Sequence, residues 1–241
     1  MKKDKVTVVT VAYNAADCIE KTILSVIGQT YSNIEYIIID GKSTDGTLDL
    51  VNKYSKKISK VISEKDNGIF DAMNKGISYA TGDWIIFMNA GDTFYDDKVI
   101  EKILEEKIDD NVGVIHGEVN TTKGILKMVP FYKRKRKLVP MGICHQSIFV
   151  RNELAKRILF DRKYKVAADY NMIHKIYEMG YKFLHKDIVV ANYDLRGFSA
   201  RNALLQYVET AEICMARKNL SYYLLYAFVF VKSIIKRILI G

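Results

Sequence analysis

The sequence predicts an α/β domain in which a mostly parallel central sheet is flanked by helices, followed by a helical tail at the carboxy terminus. Three observations carry this prediction. Strand-like and helix-like patterns alternate four times in the first half of the chain, joined by short loops. The strands are continuous apolar runs such as Trp84 to Met88, which suits burial on both faces of a parallel sheet. The composition, 49% hydrophobic and 27% charged over 241 residues, is ample for a closed core.

In order, Val6 to Ala12 reads as the first buried strand and Tyr13 to Asp17 as the loop leaving it. Ile19, Ile23, Val26 and Ile27 recur at helical spacing, and Asp17 with Glu20 has the form of a capping box. Ile34 to Ile39 is the second strand and ends on Asp40. Gly41-Lys-Ser-Thr-Asp-Gly46 turns the chain into a helix with Leu48, Val51 and Tyr54 on one side. A short strand, Ile58 to Ile62, leads to Asp66-Asn-Gly68, and Phe70, Met73, Ile77 and Ala80 form the next helical face, ended by Gly82. The strand from Trp84 to Met88 then emerges into Asn89-Ala-Gly-Asp92, with a helix expected over 98–107.

Right-handed crossovers place the loops that follow parallel strands on one edge of the sheet, where ligands of open α/β sheets bind. Asp40, Asp66 and Asp92 are therefore expected along one cleft. Asn, Gly and Asp are also ordinary turn formers, so residues 89–92 taken alone read equally as a turn. Two other nucleotide sites are excluded. The first turn contains no glycine, which rules out a dinucleotide fingerprint, and Tyr36 stands where a P-loop before Gly41-Lys42-Ser43 needs glycine.

Beyond residue 110 the pattern loosens. Strands are expected at 112–119, 125–129 and 148–150 and within 183–193, helices at 152–158 and 169–179, and a long helix capped by Ser199. No linker rich in Pro, Gly or Ser divides the chain. The reading is one domain over residues 1–215, with a nucleotide-binding half to about 110 and an acceptor half from 111, and a tail over 216–241.

Five segments in this order, Thr10-Val-Ala-Tyr-Asn14, Asp40 to Gly46, Asp66-Asn-Gly68, Asn74-Lys-Gly76 and Asn89-Ala-Gly-Asp92, resemble a family 2 glycosyltransferase of the bacterial polysaccharide type. The resemblance covers most of residues 5 to 195. It implies a GT-A fold, with a Rossmann-like parallel half completed by a mixed acceptor half. It also implies transfer of a sugar from a nucleotide diphosphate donor, usually UDP-linked, with inversion at the anomeric carbon.

Residue by residue, the resemblance places Ala12 and Tyr13 beside the base and ribose, gives Asp40 a hydrogen bond to the uracil ring, and assigns Asp66 to the segment closing over the nucleoside. Asn89 to Asp92 occupies the place of the family's Asp-x-Asp motif, whose last carboxylate holds Mg2+ or Mn2+ on the diphosphate. Here Asn89 replaces the first acid and Gly91 the middle one, so Asp92 alone keeps a charge, which suffices for a cation that takes its other oxygens from phosphate and water. Asp169 falls on the family's catalytic base, although Ala168 replaces the usual preceding Glu, and a plain helix N-cap is the alternative for it. His145 and Gln146 fall in an acceptor-site segment and are expected to meet acceptor or phosphate, with a hydrogen-bonded structural His as the alternative.

Charge and cysteine usage bear on partners and compartment. The net charge of +9 resides in Lys133 to Lys137 and in Arg217, Lys218, Lys232, Lys236 and Arg237, and without these ten the chain carries −1. Such patches suit anionic membrane or nucleic acid. No nucleic-acid-binding motif accompanies them, so nucleic acid is not expected, and a non-catalytic nucleotide- or nucleic-acid-binding module is the rival reading. A sugar-1-phosphate nucleotidyltransferase would need a glycine-rich basic loop near the amino terminus, which Tyr13 to Asp17 is not. Three dispersed cysteines and the lack of a signal-peptide pattern point to a reducing, cytoplasmic setting. In the tail, Leu220 to Val231 is apolar and aromatic, but Lys232 arrives too early for the ~20 apolar residues of a membrane span. The expectation is a tail lying at the inner face of the membrane, serving a glycan or lipid-linked acceptor.

Overall fold

The computed structural model describes residues 3–130, 142, 144–193, 202–214 and 220–240. The basic run at 133–137 and Ser199 lie outside these residues.

The four predicted repeats form as β1 (Val6–Ala12), α1 (Ile19–Ile27), β2 (Ile34–Asp40), α2 (Thr47–Lys53), β3 (Lys60–Ser63), α3 (Ile69–Tyr79) and β4 (Trp84–Phe87). They are followed by β5 (Thr93–Phe94), α4 (Val99–Ile103), β6 (Val112–Thr121), β7 (Gly124–Leu126), β8 (Ile148–Arg151), α5 (Asn152–Ile158), α6 (Ala168–Glu178), β9 (Lys182–Asn192), α7 (Ala203–Ile213) and α8 (Leu220–Ile240). Among the described residues these strands make one nine-stranded sheet in the order β3-β2-β1-β4-β8-β6-β9-β5, with β7 paired to β6. The first four are parallel, β8 is antiparallel to both β4 and β6, and β6 and β9 are again parallel. This is the mostly parallel sheet flanked by helices that the sequence predicts.

Alternation along the strands divides the core into two layers. Val6, Val8, Ala12, Ile38, Trp84, Ile86 and Met88 face α1 and α4, while Val9, Val11, Ile37, Ile39, Ile85 and Phe87 face α3, α5 and α6. The close approach of α3 to β1 explains Gly76, because a Cβ there would stand 2.5 Å from Val9 Cγ1. Asn74 in the same motif is also structural: its amide exchanges two hydrogen bonds, 2.9 and 2.8 Å, with the backbone of Phe160.

Several local expectations are corrected. The Asp17–Glu20 capping box does not form, because α1 starts at Ile19 with Cys18 before it and no side-chain cap, and Glu20 instead accepts from Tyr54 at 2.9 Å. The strand expected at 58–62 runs Lys60–Ser63, the helix at 98–107 is confined to Val99–Ile103, and the 125–129 strand shrinks to a hairpin arm. α3 ends at Tyr79, with Ala80 as its extended cap, before Gly82 is reached. Asp169 is not the N-cap of α6. That position is Ala167, which has no side-chain cap, and Asp169 lies in the first turn, accepting from the Tyr170 amide at 2.7 Å.

The cap for this helix comes from far along the chain. Glu209 of α7, 6% exposed, accepts from the amides of Lys165, Val166 and Ala167 at 2.8, 2.9 and 2.8 Å. α8 in turn packs Tyr222 on Tyr207 and Ala211 of α7, the two tyrosine rings stacking at 5.5 Å. Its opposite side leaves Leu220, Leu224, Phe228 and Val231 exposed.

Candidate active site

Two loops leave the carboxyl end of β1's neighbours and are tied to that strand, one on each side. Gly41 N donates to Ala12 O at 2.8 Å, and Ala90 N donates to Val11 O at 3.1 Å. Each loop carries one half of the site.

On the Gly41 side, the polar residues of Ser43-Thr-Asp-Gly-Thr47 hold the first loop. Asn14 N reaches Ser43 Oγ at 2.8 Å, Ala15 N reaches Thr47 Oγ1 at 2.8 Å, Ala16 N reaches Asp45 Oδ2 at 3.0 Å, and Thr44 N reaches Asn14 Oδ1 at 2.9 Å. These bonds stabilise left-handed backbone at Asn14 and Lys42, with φ of 47° and 66°. Tyr13, at the tip, is left 68% exposed. Asp40 is 0% exposed, and its carboxylate accepts from Ser43 N at 3.0 Å, Ser43 Oγ at 2.5 Å and Ser63 Oγ at 2.6 Å. The direct hydrogen bond to a base expected of Asp40 therefore has no accessible oxygen to make it. Burial and these three donors turn its carboxylate to holding the loop.

On the other side, Asn89 to Asp92 forms a tight turn in which Asp92 N donates to Asn89 O at 2.9 Å and Gly91 takes a φ of 101°. Thr22 of α1, wholly buried, clamps it: Gly91 N donates to Thr22 Oγ1 at 2.9 Å and Thr22 Oγ1 donates to Asp92 O at 2.7 Å. The Asp92 carboxylate accepts from Gln146 Nε2 at 2.9 Å, and Gln146 Oε1 accepts from the Cys144 thiol at 2.6 Å. Asn89 Nδ2 lies 3.1 Å from His145 Nε2, and His145 Nδ1 lies 3.2 Å from Asp169 Oδ2. An amide nitrogen only donates, so His145 accepts at Nε2 and carries its proton on Nδ1, from which it donates to Asp169.

Asn89, Asp92, His145, Gln146 and Asp169 are thus brought into one network, whereas Ala12, Tyr13, Asp40 and Asp66 gather across β1. Neither nearby cysteine is a poised nucleophile. Burial, then the hydrogen bond with Asp17, pushes the Cys18 thiol up to about 11, and burial pushes Cys144 higher still. Among the described residues no group of three or more His, Cys, Asp or Glu could hold a metal unaided. The donor set that is present suits a hard cation shared with a ligand: the Asp92 carboxylate, and Asn89 Oδ1, a buried oxygen with no hydrogen-bond donor. Sequence reasoning misses Thr22, Ser43, Ser63 and Glu209, whose roles rest on contacts between distant segments. Ser43 alone had a local signal, its place in a turn motif.

A parallel sheet with two polar loops on one edge, and an acid–imidazole pair facing the second loop from a mixed half, is the arrangement of the GT-A class. The family model described as glycosyl transferase family 2 matches residues 7–174, and the chain belongs to that family. It is 28% identical over 192 residues to a PGL/p-HBAD biosynthesis glycosyltransferase of Mycobacterium bovis, covering 75% of this chain and 73% of that protein. It is 31% identical over 221 residues to the amylovoran biosynthesis glycosyltransferase AmsB of Erwinia amylovora, covering 81% and 71%. Among solved structures, the mannosyltransferase PcManGT from Pyrobaculum calidifontis, in complex with GDP-Man and Mn2+, superposes with a TM-score of 0.70 at 19% identity, covering 97% of this chain and 70% of that one. S. aureus TarS in complex with UDP-GlcNAc gives 0.69 at 16% identity, covering 95% and 71%. The chain is a glycosyltransferase with the GT-A fold, and the relatives it matches are named for PGL/p-HBAD and amylovoran biosynthesis.

Proposed function

We propose that this enzyme transfers a sugar from a nucleoside diphosphate donor, UDP-linked, to a hydroxyl of a glycan or lipid-linked acceptor, with inversion in a single displacement. The observation that carries the reading is the His145 bridge, which joins Asn89 of the diphosphate loop at 3.1 Å to Asp169 at 3.2 Å. An inverting transfer needs a base on one side of the anomeric carbon and a diphosphate leaving on the other, and a bridge that ties Asp169 to the loop which would carry the diphosphate supports this reading. Asp169 accepts the proton of the acceptor hydroxyl, the hydroxyl oxygen bonds to the anomeric carbon, and the bond from that carbon to the diphosphate oxygen breaks. His145 positions the Asp169 carboxylate through Nδ1, and Gln146 does the same for Asp92. His145 and Gln146 are in this reading positioning residues more than acceptor contacts.

Asp92 and Asn89 would hold Mg2+ or Mn2+, which when bound supplies Lewis-acid stabilisation of the charge gathering on the departing diphosphate. PcManGT, which has the same fold and is in complex with GDP-Man and Mn2+, supports divalent-metal use. No helix among the described residues is long and apolar enough to cross a membrane. The exposed apolar side of α8, carrying Leu220, Leu224, Phe228 and Val231, supports an enzyme lying on the inner surface of the membrane, where a lipid-linked acceptor is met.

The test is Asp169→Asn, which keeps the side-chain shape and removes the base. Transfer should fall by at least ~100-fold, the usual share of a general base, with donor affinity near that of the parent. Transfer at the parent rate would refute the assignment.

A further inference from the structure

We propose that the β6–β7 hairpin is a membrane-contacting element that sets the site-bearing edge of the sheet against an anionic lipid surface. The inference rests on the membrane reading drawn from α8 and deepens it with a second contact and an orientation. β6 is antiparallel to β8, which is antiparallel to β4, so β6 leaves the sheet at the same edge as β4 and the loop Asn89 to Asp92. It also overhangs that edge. Ile85 and Val114 both pair with Val150, and from this common level β4 runs two residues on, to Phe87, while β6 runs seven, to Thr121. The five extra residues carry the hairpin about 16 Å further out, at ~3.3 Å per residue.

The overhang is firmly held. At its base Met128 N donates to the Glu118 carboxylate, which is 3% exposed and also lies 2.7 Å from His185 Nε2, and Asn120 Nδ2 donates to Asn192 Oδ1 at 2.9 Å. At its tip Thr121 Oγ1 accepts from Lys123 N at 3.1 Å and donates to Gly124 O at 2.8 Å, with Gly124 at a φ of 98°. Every residue from Thr122 to Lys127 is exposed, among them Ile125 at 54% and Leu126 at 39%.

Successive residues of a strand point to opposite faces, so Ile125 and Leu126 give each face of the arm an apolar side chain. A protein laid against one face would leave the other in water, whereas lipid surrounds an inserted tip and covers both. Charge selects the same medium. No Asp or Glu occurs between Glu118 and Glu153, Lys123 and Lys127 flank the apolar pair, and Lys133 to Lys137 follows in the sequence. The hydrocarbon boundary takes Ile125 and Leu126 while the lysines reach headgroup phosphates. With the tip inserted, the edge carrying Asn89 to Asp92 opens toward the membrane surface.

The experiment is sedimentation of the full chain with vesicles of phosphatidylglycerol and phosphatidylcholine in equal parts. The parent is compared with Ile125→Glu with Leu126→Glu, and with Lys123→Glu with Lys127→Glu. Both variants change exposed positions, so they should keep the parent's melting temperature and partition at least ~tenfold less. Ile125→Trp adds a direct probe, because the native Trp84 is wholly buried and gives a fixed background. Its emission should shift to the blue when vesicles are added. Partition of both variants at the parent level, or an unshifted Ile125→Trp emission, would overturn the role of the hairpin and leave that of α8 standing. A parent dimer that Ile125→Glu with Leu126→Glu splits, with vesicle binding unchanged, would assign the arm to a second copy and overturn it as well. A parent that does not sediment with these vesicles would overturn the membrane reading and this inference together.

Discussion

Removing the Glu209 carboxylate is the most informative single perturbation of the acceptor half. It accepts three backbone amides, of which those of Val166 and Ala167 are buried. In Glu209→Ala these two lose their only hydrogen-bond partner in a place water does not reach, at about 1–3 kcal/mol each, and the more accessible Lys165 amide adds less. The sum is about 4 kcal/mol. For a chain of this size each kcal/mol lowers the melting temperature by about 2–4 °C, so a fall of roughly 8–16 °C is expected in a thermal scan. Glu209→Gln retains one acceptor oxygen but sets an NH2 against an amide donor, and should lose about half as much. Because the three amides immediately precede α6, whose first turn carries Asp169, surviving folded protein should lose transfer more than donor affinity. Melting temperatures of both variants within ~2 °C of the parent would show that the carboxylate does not hold this segment.

Four further outcomes follow from the same structure. Asp92→Ala should remove nearly all donor turnover, and full activity of the parent in excess chelator would sink the assigned cation site. Gly76→Val forces methyl groups into the 2.5 Å approach to Val9 and should cost about 1–3 kcal/mol in urea unfolding, whereas unchanged stability would mean that α3 can move off β1 freely. Burial raises the Glu35 pKa, but hydrogen bonds from Thr7, Thr81 and Lys5 outweigh it and hold the carboxyl at about 2, below its ordinary 4.5. Its stabilisation is then complete above about 4.5 and lost as pH falls toward 2, so Glu35→Gln should flatten the acid-unfolding curve in that window; an unaltered slope would contradict it. Leu224→Glu with Phe228→Glu should abolish sedimentation with anionic vesicles and spare UDP binding, and sedimentation at the parent level would end the membrane role of α8.

The parallel half was legible because its signal is local. Runs such as Val6 to Ala12 and Trp84 to Met88 can be buried in few ways, and the order of β1 to β4 follows from right-handed crossovers. The boundaries of β3 and α4 were not, since helix and strand ends depend on which neighbour supplies the final hydrogen bonds. Motif positions brought the candidate residues to two loops on one edge of the sheet but did not give what each residue contacts there. Asp40, expected at the base, is turned inward by two serines, and Asp66, from a loop after β3, takes the space beside Gly41. Asp169 could be placed as a candidate base or as a cap from its position before a helical pattern; the helix starts one residue earlier, which rules out the cap, and the amides ahead of it go to the long-range partner Glu209. That partner lies beyond the residues 7–174 matched by the family, so nothing near Asp169 announced it.

The clasp between residues 14–16 and 43–47 has a consequence for how the donor is taken up. Four hydrogen bonds, all made within the chain, fix both loops, so the freedom of these segments is lost during folding. If the donor binds here as proposed, its affinity on this side reflects contacts made, undiminished by a cost of ordering the loops. Substitutions at Asp45 or Thr47, which reach the first loop from behind, should weaken donor binding by restoring that freedom, much as loosening a hinge pin spoils a latch it never touches.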